Sequence, residues 1–360
     1  MSNKIQHIDL MQLPENWSWV SIEDATDNYN SKRVPLNGME REKMKGIYPY
    51  CGANGIVDFI DKFLFDGEFI LVAEDGGYWG KNQNTSYLMN GKFWVNNHAH
   101  ILQSKNTEKL SNQFISFAIN FMDYDQFITG DARGKLTKAL LNTLKFPKPT
   151  PGEVSKITYV LFTVQKAIQK QEQIINSTTA LKKSLLNKLF NEGTKGEPLK
   201  QTEIGTIPES WELKKLGELC DISSGGTPSR EVSEYWTGGT IPWVKTGEIN
   251  YTLIKETSEK ITELGLKNSS TKMFPAGTLL MAMYGQGITR GKVALLGIDA
   301  TLNQACAAII PFSEQEISSK YLYRYFEYQY EYIREFGHGA NQKNLSGTII
   351  KSIPVVFPKD

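Results

Sequence analysis

Apolar residues fall along this chain in two textures. Over residues 1–149 and 207–360 they come in short runs broken by Gly, Asn and Asp, such as "EFILVAE", "KFWVNNHAHIL", "TLLMAMY" and "QACAAIIP". Such runs predict strands of a twisted, mostly antiparallel sheet. "LSNQFISFAINFM" (110–122) and "SSKYLYRYFEYQYEYI" (318–333) predict helices, the second laying its Tyr and Phe residues on a sheet.

Residues 150–193 read differently. Apolar positions recur at Ile157, Val160, Val164, Ala167, Ile174, Leu181 and Leu185, with Gln171 and Thr178 in two slots between. This three-and-four spacing predicts one long helix. Thr150 with Glu153 forms a capping box, Pro151 fits the first turn, and Gly193 fits the left-handed position after the last. At 1.5 Å per residue the helix spans roughly 60 Å. So long a seam wants a partner helix. Leu161, Ile168 and Ile175 widen the apolar face toward a further neighbour.

The flanking regions repeat one another. Pro14, Glu15 and Trp17 recur as Pro208, Glu209 and Trp211, and "KLTKALLNTLKFPKP" (135–149) parallels "NLSGTIIKSIPVVFP" (344–358). "FDGEFILVAEDG" faces "FPAGTLLMAMYG", and "WVNNHAHIL" faces "TLNQACAAI". Repeats of this length are whole domains. Trp17 and Trp211, at the repeat starts, read as packing anchors.

"YGQGITRGKVAL" (284–295) superficially suggests a phosphate loop. A P-loop needs Gly at position 286 and a hydroxyl after Lys292, and Gln286 and Val293 supply neither. Apolar runs on both sides make it the tip of a hairpin instead. "NNHAH" places Asn96, His98 and His100 on one strand face. No carboxylate or Cys accompanies them at ligand spacing, and Asn303, Ala305 and Ala307 replace them in the second copy, so the expected role is structural. Neither a methyltransferase tetrapeptide nor a nucleophile elbow occurs.

Net charge is +1, and the basic excess is confined to residues 151–206, with 8 Lys+Arg against 5 Asp+Glu. A nucleic-acid role therefore needs local patches or a partner that adds charge. Cys51, Cys220 and Cys306 form no CxxC, which fits a reducing cytoplasm. No apolar run is long enough to span a membrane, and the N-terminal stretch lacks a signal-peptide core.

Two domain copies around a long helix followed by "IGTIPESW" resemble the specificity subunit of type I restriction–modification systems. "YCGANGIVDFIDKFLFDGEFILVAEDG" and "FWVNNHAHIL" in the first copy carry the resemblance, as do "SSGGTPSR", "YWTGGTIPWVKTGEI", "MYGQGITRGKVALL" and "NQACAAI" in the second. It implies an α+β chain: target recognition domain 1 over 1–149, a central conserved coiled-coil helix and linker over 150–206, and target recognition domain 2 over 207–360. Each domain would read half of a bipartite, asymmetric double-stranded DNA site. Two DNA adenine methyltransferase subunits, which use S-adenosylmethionine, and the restriction (motor nuclease) subunits would be its partners. The chain itself would be non-catalytic, without cofactor or metal, and cytoplasmic. The family's second helix does not follow Asp360, so the central helix is expected either to self-associate or to be covered by the partners, with Ile157, Val160, Val164, Ile174, Leu181 and Leu185 as the seam.

Base edges are read by polar side chains and phosphates by cations and amides. In the first copy the candidates are Lys32, Arg33, Lys45, Tyr48, Tyr50, Tyr78, Trp79, Lys81, Asn82, Arg133 and Lys135. In the second they are Ser224, Thr227, Ser229, Arg230 and Lys245, then Tyr284, Gln286, Thr289, Arg290 and Lys292. His338, Asn341, Gln342 and Lys343 complete the set. Gln286 suits adenine, Arg290 guanine and Lys292 phosphate. A specificity chain of another methylation-based defence system, or a coiled-coil interaction protein without a DNA role, are the alternatives.

Overall fold

The structure is a computed structural model that describes residues 12–124, 128, 134–285, 288–336 and 344–359. The chain divides into two compact units, residues 1–173 and 174–360.

In the first unit the strands are β1 (Ser18–Ser21), β2 (Thr26–Asn28), β3 (Lys45–Gly52), β4 (Gly55–Ile60), β5 (Phe65–Asp66), β6 (Phe69–Ala73), β7 (Ser86–Met89), β8 (Lys92–Val95), β9 (Ala99–Ser104) and β10 (Lys145–Lys148). They form an antiparallel sheet ordered β2-β9-β6-β7, a sheet ordered β4-β3-β8-β5 and a ribbon β1-β10. Among the described residues of this unit the one parallel pair is β3 with β8. Wholly apolar "FILVA" is buried along its length because β6 lies between two strands and under the helix Asn112–Phe121. Ile70, Val72, Leu102, Phe114, Ile115 and Ile119 share that core.

The second unit contains β11 (Leu199–Thr202), β12 (Gly205–Pro208), β13 (Trp211–Lys215), β14 (Cys220–Ser224), β15 (Ile241–Val244), β16 (Leu253–Ile254), β17 (Glu259–Ile261), β18 (Met273–Phe274), β19 (Leu279–Ala282), β20 (Val293–Leu296), β21 (Ala300–Leu302), β22 (Cys306–Pro311) and β23 (Pro354–Pro358). Their sheets run β14-β22-β19-β20-β16 and β17-β15-β21-β18, with a ribbon β13-β23 and a hairpin β11-β12. Apart from the added β16 and the hairpin, strand order repeats that of the first unit. Even the parallel pair recurs, as β15 with β21. The sequence repeat is thus a repeat of topology.

The same device turns the chain in both copies. Asn96 Oδ1 accepts from His98 N at 2.8 Å, and Asn303 Oδ1 accepts from Ala305 N at 3.0 Å. His100, fully buried, is held through both ring nitrogens by Asn30 Nδ2 and the Leu136 carbonyl, each at 2.7 Å. Burial keeps its pKa below the ordinary imidazole value.

The long helix is continuous over Pro151–Glu192. Its start differs in detail from a reciprocal capping box. Glu153 accepts from the Thr150 amide at 3.0 Å, but the Thr150 hydroxyl bonds that same carboxylate rather than a helix amide. The Trp17 indole joins it at 3.2 Å, which ties the repeat start to the helix. Gly193 ends the helix at φ +66°, and a Cβ there would meet Pro208 at 2.9 Å. Val154 packs into the first core and Phe190 into the second. Val160, Val164, Ile174, Leu181 and Leu185 are exposed, and Ile157 is half-buried against the first core.

The aromatic stretch predicted as one helix is two, Ser319–Tyr328 and Tyr330–Glu335, meeting at Gln329. Phe190 stacks on Tyr328 and meets Tyr321 and Tyr325 edge-on. The Tyr321 and Tyr325 hydroxyls donate to the carbonyls of Val356 and Pro354 in β23. Packing against the end of the long helix and that ribbon absorbs these rings.

Candidate nucleic-acid interface

In the second unit the segment Ser223–Arg230 leaves β14 through two glycines that approach other backbone closely. A Cβ at Gly225 would lie 2.1 Å from the Leu302 carbonyl oxygen, and one at Gly226 would lie 2.6 Å from Thr271 N. Only Gly fits there. Trp243 Nε1 donates to the Gly226 carbonyl at 3.0 Å and Trp236 Nε1 to that of Ser229 at 2.9 Å. The two indoles meet edge-on, 5.0 Å apart. Arg230 lies on this platform, its guanidinium carbon 3.6 Å from the centre of the Trp236 ring. Ser224 and Ser229 are exposed, and Thr227 is held by Gln304.

Glu259, opposite Trp243 in the β15–β17 register, bonds Arg230 Nη1 through Oε2 and Lys245 Nζ through Oε1 at 2.8 Å. Arg230, then Lys245, hold its carboxyl below the usual carboxylate range. The result is a partly exposed Arg–Glu–Lys group with one net positive charge.

The hairpin predicted from "YGQGITRGKVAL" is present, with β19 and β20 antiparallel and Leu279 facing Leu295. Tyr284 is exposed at its start and Thr289 is half-buried. Lys292 bonds Asn250 Oδ1 at 2.7 Å beside the Tyr251 ring. Arg290 departs from expectation. Gly291 N bonds the Ala282 carbonyl, and the Arg290 side chain turns inward, 6% exposed, toward the Phe336 carbonyl.

In the first unit one expected reader, Arg33, is half-buried and another, Tyr50, is interior. The guanidinium of Arg33 bonds Glu74 at 2.6 Å and the carbonyls of Ala99 and Asn97. Tyr50 is 1% exposed, its hydroxyl bonded to the amide and carbonyl of Leu36. Trp79 is half-buried against Tyr124. Lys135 is half-exposed and ion-paired to Glu74 at 3.3 Å. Lys45 pairs with Asp58 and Glu42, which leaves no excess positive charge at that point, and Tyr48 packs edge-on to Phe63.

Lys32, Tyr78, Lys81 and Asn82 remain exposed. Tyr78 borders a cleft of about 520 Å³ whose lining, including Asn54, Asn84, Gln113 and Gln165, carries no charged side chain. Arg133, Gln286, His338, Asn341, Gln342 and Lys343 lie outside the described residues.

The family model for the type I restriction modification DNA specificity domain matches twice, over residues 14–189 and 208–360. The chain belongs to this family. It is similar, at 28% identity over 94% of its length and 83% of the relative's, to a putative type I restriction enzyme specificity subunit of Haemophilus influenzae. A type I restriction enzyme specificity subunit of Methanocaldococcus jannaschii is 24% identical over 97% of this chain and 84% of its own. The fold resembles that of the S subunit of a type I restriction–modification system from M. genitalium, with a TM-score of 0.67, 17% identity, and coverage of 97% of this chain and 87% of that one. The chain's role is that of the DNA sequence-recognition subunit of a type I restriction–modification complex, not of an enzyme acting alone.

Three residues at these places were not singled out from the sequence. Glu259 sits in the unremarkable "SEKITE", Trp236 reads as an ordinary aromatic, and Asn54 lies on a tight turn. Only "WTGGTIPW", two indoles around a turn, offered a signal.

Proposed function

We propose that this specificity subunit binds a bipartite, asymmetric double-stranded DNA site in the cytoplasm. Target recognition domains over 1–149 and 207–360 each read one half, and the segment 150–206 carries the central helix and linker. The observation that carries this reading is one strand topology occurring twice with different chemistry on equivalent loops. A shared framework positions the reader, and unlike loops select unlike bases.

The DNA-contacting groups we assign, to bases or to phosphates, are the accessible ones: Lys32, Tyr78, Lys81 and Asn82 in the first unit, and Ser224, Ser229, Arg230, Lys245, Tyr284 and Lys292 in the second. The exposed apolar face of the long helix takes helices of two DNA adenine methyltransferase subunits or of a second copy, and through the former the motor nuclease is recruited. Mapping N6-methyladenine in cells that carry this chain with its methyltransferase tests the reading. The expected result is a two-part, non-palindromic motif with a fixed spacer. A contiguous or palindromic motif sinks it.

A further inference from the structure

Two cations at the Gly-rich loop of the second unit, Arg230 and Lys245, converge on one acid, Glu259. Its two carboxylate oxygens take different partners, Arg230 and Lys245, which come from different segments. Its backbone is fixed by pairing with Trp243 and by the Thr257 hydroxyl, which donates to its carbonyl at 2.6 Å. Glu248 fixes the surroundings, accepting from the amides of Lys245 at 2.7 Å and Ser258 at 2.8 Å. With one face on Trp236, the Arg230 guanidinium offers its edge, which bonds two oxygens of a carboxylate or of a phosphate alike. The group is open to solvent, with Arg230 half-exposed.

We propose that Glu259 is a specificity-determining residue that occupies, in the free protein, the anion position between Arg230 and Lys245 taken by a backbone phosphate in the DNA complex. Its negative charge lowers sequence-independent affinity, so that binding depends on base contacts made elsewhere. This rests on the DNA-recognition reading of the second unit.

The test uses the chain assembled with its methyltransferase, titrated with its target duplex and with an unrelated duplex at several salt concentrations. Glu259→Gln keeps the shape and removes the charge. It should tighten binding to both duplexes by roughly twofold to fivefold, most for the unrelated one, and steepen the salt dependence by about one counterion. Arg230→Ala should weaken both, and should abolish the gain when combined with Glu259→Gln.

A merely structural clip predicts weaker binding, or none of the gain, in Glu259→Gln. Unchanged or reduced affinity in that variant overturns the proposal while the wild-type preference for its target stands. Should Glu259→Gln not fold, an Arg230→Ala variant with undiminished affinity and salt slope overturns it equally. A wild-type complex that treats the two duplexes alike removes the DNA-recognition reading itself.

Discussion

Each unit contains an arginine and a lysine bridged by one glutamate, and the two groups have opposite fates. In the first unit Arg33, Glu74 and Lys135 lie against the buried His100, with the Arg33 and Glu74 side chains 16% and 14% exposed. In the second, Arg230, Glu259 and Lys245 lie on a tryptophan platform with the Arg230 side chain 51% exposed. The same charges hold a loop to a core in one place and face solvent in the other. Charge composition therefore says little about role. What decides is whether the guanidinium has backbone carbonyls to bond, as Arg33 has, or an aromatic face and water.

The sharpest way to break this comparison is to remove each acid. Glu74→Ala strands a largely buried guanidinium and should cost the first unit about 2–4 kcal/mol in urea denaturation. Glu259→Ala should cost the second under about 1 kcal/mol. Equal costs would erase the distinction.

Acid provides the next test. Burial lowers the folded pKa of His100, so above about 6.5 neither state binds the proton and stability is flat in pH. Below that, the unfolded chain protonates first and the folded state loses ground, down to the folded pKa. Between pH 7.5 and 5.5, β9 should lose hydrogen-exchange protection relative to the intrinsic exchange rate at each pH. In β22, where Ala307 stands, this contribution is absent. Asn96→Ala and Asn303→Ala should each cost about 1 kcal/mol, because they cap the same turn. One silent variant would mean that the copies do not use the turn alike.

The smallest effect is expected at the surface. Lys292→Ala should weaken binding of the assembled complex to every duplex by about twofold to threefold and reduce the salt slope by about one. Lys45→Ala, already balanced by Asp58 and Glu42, should change neither.

Much of the fold was legible in the sequence. The repeat, the β19–β20 hairpin, the central helix and its Gly193 terminus follow from local patterns. The break at Gln329 did not, because Tyr and Phe continue across it at helical spacing; Tyr328, the last residue of the first segment, stacks on Phe190. Of the expected readers, Arg33, Tyr50 and Arg290 turned inward. Each is taken up by backbone carbonyls brought from residues well removed in sequence, which composition does not reveal.

The sequence by itself determined that there are two copies of one domain around one helix, since periodicity and repeats are local properties written in residue order. It also determined which loops differ between the copies. Only the tertiary structure decided which cations of those loops remain outside. An arginine's direction depends on which carbonyls, carboxylates and rings surround it, and those come from strands far apart in the chain. Glu259 beside Arg230 and Glu74 beside Arg33 are the two cases in which that choice was made differently.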